Sequence, residues 1–284
     1  MLYSIDNYSK PAYCAYDFLN KAMSIIKISS KDNTFIKHIN KLIKSAKYRR
    51  ENHEFVAEGL RICYDACISG AVIKAVVFTK TAYEKHRGAL DEIISVSEKQ
   101  YEVSDVVFSS ICDTQSPQGV LCVTKTLDKR TLFDKMEYSG KFLALDNIQD
   151  PSNLGTILRT AEAVGVSAVI LSKDCCDIYS PKVVRGSMGA VFRLVYIIVD
   201  TIEGFLSEHK GINSFAAVVD NGAKPINSVR FSSPCIVCVG NEGNGLKEST
   251  VDACGECITI PMKGRAESLN ASVAASIIMW EMLK

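Results

Sequence analysis

The sequence predicts an α/β protein in two parts: a small α/β domain, then a larger domain built on a parallel sheet buried on both faces. Three observations carry this. Five apolar runs, Phe142–Leu145, Ala168–Leu171, Val195–Val199, Phe215–Val219 and Ile236–Val239, are separated by helix-length connections. Their apolarity is continuous rather than alternating, as expected for strands covered on both faces and hence for a parallel sheet. Shorter strand and helix patterns alternate between Ile25 and Lys125, which describes a smaller α/β unit. Finally, Leu269 to Leu283 reads as a helix with apolar or small residues on nearly every face, so it calls for cover on more than one side.

Bulk properties narrow the class. A chain of 284 residues suits two domains. Its 47% hydrophobic and 23% charged residues fit a globular protein, and no apolar run reaches the length needed to span a bilayer. Residues 1–20 mix Asp, Tyr, Lys and Pro and lack the apolar centre of a secretory signal. The 11 cysteines are an odd number and sit largely in apolar runs, which suits reduced, buried thiols. A cytoplasmic protein with no membrane partner is therefore expected. The net charge of +1 excludes nothing until its distribution is read.

Residues 1–22 are weakly patterned and read as an extension. A strand start follows at Ile25–Ile28. From Lys27 to Arg50 the chain carries Lys27, Lys31, Lys37, Lys41, Lys44, Lys47, Arg49 and Arg50 against Asp32 alone. Phe35, Ile39, Leu42 and Ala46 follow helical spacing toward a core, while Lys37, Lys41, Lys44 and Tyr48 follow it on another face. Such a face is either solvated or in contact with phosphates. The shortage of acidic partners favours RNA or DNA. Next come Phe55–Gly59, a helix from Leu60 to Ser69 ended by Gly70, and a strand Val72–Thr79. A helix Ala82–Ile93, a strand Tyr101–Val103, a short helix Asp105–Ile111 and a strand Gly119–Val123 complete the unit. Glu58 and Gly59 fit a strand-to-helix turn, and Gln115–Gly119 has turn chemistry. Residues 126–140 are charged and weakly patterned, so they read as a linker.

In the second half, the strand Phe142–Leu145 stops at Asp146–Gly155 and a helix runs to Val164. Ser180–Ser187 starts another helix, where Arg185 suits either an RNA contact or an ion pair. Parallel sheets bind ligands beyond the carboxyl ends of their strands. That singles out Asn147–Gly155, Gly240–Gly245 and Pro261–Asn270. The Gly240–Gly245 loop lacks both the Walker Gly-Lys-Ser/Thr ending and a full G-x-G-x-x-G. With Pro261–Gly264 it would form a cleft edged by backbone, apolar side chains and one acid, suited to a small, partly cationic ligand. Asn270, in the first turn of the apolar helix, is either a cap or a ligand contact. Cys235-x-x-Cys238 and Cys254-x-x-Cys257 match zinc-ribbon spacing. Residues three apart in a strand face opposite ways, however, so these read as core cysteines and no metal is expected.

Three segments together resemble the SpoU (TrmH) family of RNA 2′-O-ribose methyltransferases. Asp150–Ala161 resembles its first motif, Val239–Leu246 its second, and Ile258–Met262 with Ser268–Ser272 its third, in the family's order. Residues 23–125 are similar to the family's RNA substrate-binding domain through Lys47–Arg50, Phe55–Gly59 and Ser116–Gly119, and residues 141–284 to its catalytic domain. The resemblance implies a SPOUT α/β fold with a deep C-terminal trefoil knot, S-adenosylmethionine as methyl donor and a homodimer. It implies catalytic or positioning roles for Asn153, Arg159, Glu242 and Asn270. Cofactor contacts fall on Gly240, Gly243, Ile260, Met262, Ser268 and Leu269, and RNA contacts on Lys37, Lys41, Lys44, Arg49, Arg50 and Arg185. The implied substrate is ribosomal RNA before transfer RNA, with a non-catalytic RNA-binding protein of the same fold as the alternative.

Overall fold

The computed structural model describes residues 25–220 and 222–284; the extension expected at residues 1–22 lies outside them. The first domain contains β1 (Ile26–Ile28), α1 (Thr34–Lys44), α2 (Ala46–Asn52), β2 (Glu54–Glu58), α3 (Leu60–Ile68) and β3 (Ile73–Thr79). It continues with α4 (Lys80–Lys85), α5 (Arg87–Val96), β4 (Gln100–Val103), α6 (Asp105–Phe108) and β5 (Val120–Lys125). The strands lie in the order β1-β4-β3-β5-β2, with β5 antiparallel to both neighbours and the other pairs parallel.

The basic stretch forms two helices rather than one. Ser45 breaks it: its backbone is extended, and its hydroxyl caps α2 by accepting from the Tyr48 N–H at 3.2 Å. The buried face of α1 is Ile36, Ile39 and Leu42, one position away from the expected Phe35. Phe35 is only partly buried and stacks on Tyr101, with ring centroids 4.3 Å apart.

After α7 (Arg130–Asp134), the second domain runs through β6 (Lys141–Leu145), α8 (Pro151–Val164), β7 (Ala168–Ser172), α9 (Pro181–Gly186), α10 (Ala190–Arg193) and β8 (Tyr196–Val199). Then come α11 (Ile202–Glu208), β9 (Asn213–Ala217), β10 (Lys224–Pro225), β11 (Cys235–Val239), α12 (Glu248–Ala253), β12 (Glu256–Thr259) and α13 (Ala271–Leu283). The sheet order is β10-β12-β9-β11-β6-β7-β8, and every pair is parallel. Three of the five apolar runs form the central strands β6, β7 and β11, where nearly every residue is buried; the run at β8 lies on the sheet edge with Ile198 exposed, and the run at β9 stops at Ala217 and leaves Val219 exposed.

The segment read as a linker is packed structure. Phe133 is fully buried against Phe142 and Phe205. Lys129 is buried as well, and its ammonium donates to the carbonyls of Val191, Phe192 and Leu194 at the end of α10. Burial pulls its pKa down to about 8. The charge that suggested solvent exposure instead closes a helix terminus, where carbonyls lack helical partners.

The two domains share one apolar core. Phe55 of β2 stacks on Tyr179 at 4.5 Å and on Phe192 at 5.9 Å. Around this core, Arg49 pairs with Asp177 at 2.7 Å, Arg193 with Asp65 at 3.3 Å, and Arg185 with Asp113 at 3.0 Å.

Candidate functional site

A cavity of about 440 Å³ opens at the carboxyl ends of β9, β11 and β12. Ala217–Val219, Val239, Ile258–Ile260 and the loop Gly240–Leu246 form its sheet side. Met262, Ser268 and Leu269 edge it, and Ala271, Ala274 and Ile278 of α13 close it. All six residues expected to hold the cofactor, Gly240, Gly243, Ile260, Met262, Ser268 and Leu269, line this one cavity. Its wall is mainly apolar side chain and backbone, with Asn241, Asn244, Thr259 and Ser268 as neutral polar residues and Glu242 as the single acid, so the chemistry fits a ligand with an apolar body and a local positive charge.

The backbone turn that shapes the cavity depends on Gly240. A Cβ there would overlap the Gly245 carbonyl and the Leu246 nitrogen. The loop closes on itself through paired hydrogen bonds between the Asn241 and Gly245 backbones at 2.9 and 3.0 Å. Asn241 also ties it to the neighbouring loop, its amide donating to the Asn147 carbonyl at 2.9 Å.

Glu242, Asn153 and Asn270 form one hydrogen-bonded line across the three loops. Asn153 Nδ2 donates to Glu242 at 3.0 Å, and Asn270 Nδ2 donates to Asn153 Oδ1 at 3.0 Å. Glu242 also accepts from the backbone N–H groups of Gln149 and Asp150, both at 3.2 Å. Burial pushes the Glu242 carboxyl upward, but the donors from Asn153, Gln149 and Asp150 outweigh it and hold the group below its usual pKa. It is therefore a fixed anion and an acceptor.

Asn270 is the N-cap of α13 rather than a residue of its first turn, and it is exposed rather than buried. Its Oδ1 accepts from the N–H groups of Ser272 at 3.0 Å and Val273 at 3.3 Å. Cap and site contact, set as alternatives by the sequence, are both made: the oxygen caps and the amide nitrogen reaches the site.

Arg159 stands apart from this line. It is exposed on α8, and its side chain makes no hydrogen bond or ion pair with another described residue. The RNA-contact set divides. Lys37, Lys41, Lys44 and Arg50 are exposed, Lys37 pairing only with exposed Asp32. Arg49 corrects its expectation. It is 5% exposed, bound to Asp177 and donating to the Leu42 and Ile43 carbonyls, so its charge is consumed inside the protein. Arg185 makes an ion pair with Asp113, one of its two sequence readings.

Sequence reasoning singled out the loop that holds Gln149 but gave that residue no role, and it missed the wall formed by Ala217, Val218 and Val219. Gln149 donates to Asn147 Oδ1 at 2.6 Å and to the Asp174 carbonyl at 2.5 Å, which braces the Asn147–Gly155 loop. The end of the strand Phe215–Val219 was visible as a carboxyl end of a parallel strand, and the rule that selected the other loops applies to it equally.

The chain is similar to known proteins over most of its length. Residues 140–280 match the SpoU rRNA Methylase family, and residues 33–122 match the MRM3-like substrate binding domain. An uncharacterised tRNA/rRNA methyltransferase of Synechocystis sp. is 31% identical over 258 residues, covering 90% of this chain and 93% of that protein. The 23S rRNA (guanosine(2553)-2′-O)-methyltransferase RlmP of Bacillus subtilis is 28% identical over 257 residues, covering 90% of this chain and 98% of that protein. Among solved structures, the AdoMet-bound rRNA methyltransferase from Sinorhizobium meliloti shares 29% identity with a TM-score of 0.81, over 91% of this chain and 97% of that one.

Proposed function

The chain belongs to the SpoU rRNA methylase family, and from that premise we propose that it methylates a ribose 2′-hydroxyl of ribosomal RNA with S-adenosylmethionine as donor. The observation that carries the reading is the cavity beside the line Glu242–Asn153–Asn270. Gly240, Ile260 and Leu269 would hold the donor against backbone and apolar surface, with Glu242 at its charged side. When bound, S-adenosylmethionine supplies a methyl group already activated on a sulfonium sulfur. Asn153 and Asn270 hold one another and Glu242 in place, so the loops meet the substrate preorganised and positioning supplies much of the rate. Glu242, kept ionised, orients donors and releases no proton. Arg159 offers a planar, cationic guanidinium, free to grip a phosphate or steady a developing alkoxide.

On this reading, RNA lies along the exposed cations Lys37, Lys41, Lys44 and Arg50. The deep C-terminal trefoil knot expected from the resemblance belongs to the same reading. The protein works as a homodimer: Val273, Ile277 and Trp280 leave an exposed apolar stripe on α13, 47%, 36% and 62% exposed. The stripe runs beside α8, where Ser276 meets Thr160 at 3.5 Å next to Arg159. A cytoplasmic setting suits the unpaired thiols among the described cysteines.

The test incubates the protein with labelled S-adenosylmethionine and separated ribosomal and transfer RNA, then maps the modified nucleotide. Label at a 2′-oxygen of ribosomal RNA is expected. Label in transfer RNA alone moves the substrate, and RNA binding without any label sinks the enzyme reading.

A further inference from the structure

We propose that Cys238 and Cys254 form a redox-active thiol pair, a modification site for hydroperoxides fastened to the cofactor loop. The proposal does not rest on methyl transfer. The two sulfurs are 3.7 Å apart and hydrogen-bonded to each other. A disulfide needs about 2.05 Å, so closure asks for a movement of under about 2 Å. Cys238 sits in β11, fully buried, two residues before Gly240. Cys254 caps the C-terminus of α12 and is partly exposed. An oxidant therefore meets Cys254 first, with the second sulfur waiting behind it.

The other described cysteines lack this combination. Cys63 and Cys122 also neighbour each other, but both are fully buried and closed to an oxidant. Burial pushes Cys67 and Cys235 up to about 11 and Cys176 to about 12, which keeps them as thiols. Cys254 moves the other way: its hydrogen bond with Cys238 lowers its pKa against the opposing effect of burial. A partly exposed thiol with raised thiolate character beside a resolving thiol is the arrangement that oxidises selectively. The spacing that resembled a zinc ribbon thus contributes one cysteine from each half. No group of three or more candidate metal ligands gathers among the described residues.

The chemistry balances with a hydroperoxide as oxidant. The Cys254 thiolate attacks the distal peroxide oxygen, the O–O bond breaks, and water (or an alcohol) leaves with the thiol's proton. The Cys238 sulfur then attacks the Cys254 sulfenic sulfur. The S–S bond forms, the S–O bond breaks, and a second water carries away the Cys238 proton. Two thiols lose two electrons and one peroxide gains them. The bond would join β11 to the far end of α12 and enclose the whole loop Gly240–Gly245.

The experiment uses the full chain, reduced, desalted and treated with a small excess of hydrogen peroxide, then digested with trypsin without reductant. Peptides 231–247 and 248–263 should appear joined with the loss of two hydrogens, about tenfold or more before Cys67 reacts. Cys235→Ser and Cys257→Ser should keep the link, and Cys254→Ser should lose it. Cys238→Ser should leave Cys254 as a sulfenic acid that dimedone labels. A link through other cysteines, or a Cys254 that reacts no faster than Cys67, overturns the proposal. If a variant folds poorly, fragmentation of the joined wild-type peptides places the link at Cys238 and Cys254 or at Cys235 and Cys257 and so decides between these outcomes.

Discussion

Glu242 looks in the sequence like a lone acid in a glycine-rich turn, yet it accepts from one side chain and two backbone N–H groups on another loop. Glu242→Gln keeps the shape but turns an NH₂ toward at least one of those donors. Methyl transfer should fall by about 100-fold, on the scale of losing a preorganised polar contact, while RNA binding measured by filter retention holds. The pH dependence follows from the sign of its shift. Its folded pKa lies below the ordinary 4.5, so its stabilisation is complete above that value and is lost as pH falls through the folded one. Urea unfolding followed downward from about pH 6 should show a shallower acid limb in Glu242→Gln than in the wild type. Gly240→Ala should abolish binding of S-adenosylhomocysteine in calorimetry, because the new Cβ enters the Gly245–Leu246 backbone. Arg159→Lys separates two roles: a requirement for the planar fork predicts at least about tenfold loss of activity, whereas near wild-type activity leaves only a point charge. The motif residues themselves were legible. Which of them touch was not, since Asn153 and Glu242 lie 89 positions apart and only the fold joins them.

Helix α13 shows where element-level reading succeeds and where it stops. Its apolarity on all sides calls for more cover than one sheet provides, and the fold supplies part of it. Ala275, Ile278, Met279 and Met282 are buried, while Val273, Ile277 and Trp280 remain open. Trp280 is the one tryptophan of the chain, so its fluorescence reports directly on this face. If this face joins two copies as proposed, Trp280 emission should move to the red on dilution. On the proposed homodimer reading, Ile277→Asp should lower the mass seen by light scattering from a dimer to a monomer, and unchanged scattering would remove this face as the interface. The α1–α2 break was less legible. Ser45 lies within a continuous helical pattern, and its capping bond to Tyr48 is what interrupts it.

At the scale of the molecule, the order of strands and helices was readable because parallel strands buried on both faces leave an apolar signature. The joining of the domains was not. Arg49 and Lys129 carry charges that suggest solvent or RNA, and both are buried partners of atoms more than 60 positions away. Phe55 lies at the centre of that joint, fully buried between Tyr179 and Phe192. Phe55→Ala should cost about 3–5 kcal/mol, and both domains should unfold in one calorimetric transition. Two separated transitions would contradict the shared core. The cavity has a further consequence for how the protein comes into being. Its walls begin at Ala217 and are closed by Ala271, Ala274 and Ile278. A chain made from its N-terminus at about 5–20 residues per second can dock its first domain early. The pocket proposed for the methyl donor stays open until α13 has left the ribosome, so a nascent chain that already presents Lys37, Lys41, Lys44 and Arg50 has no closed cavity to use.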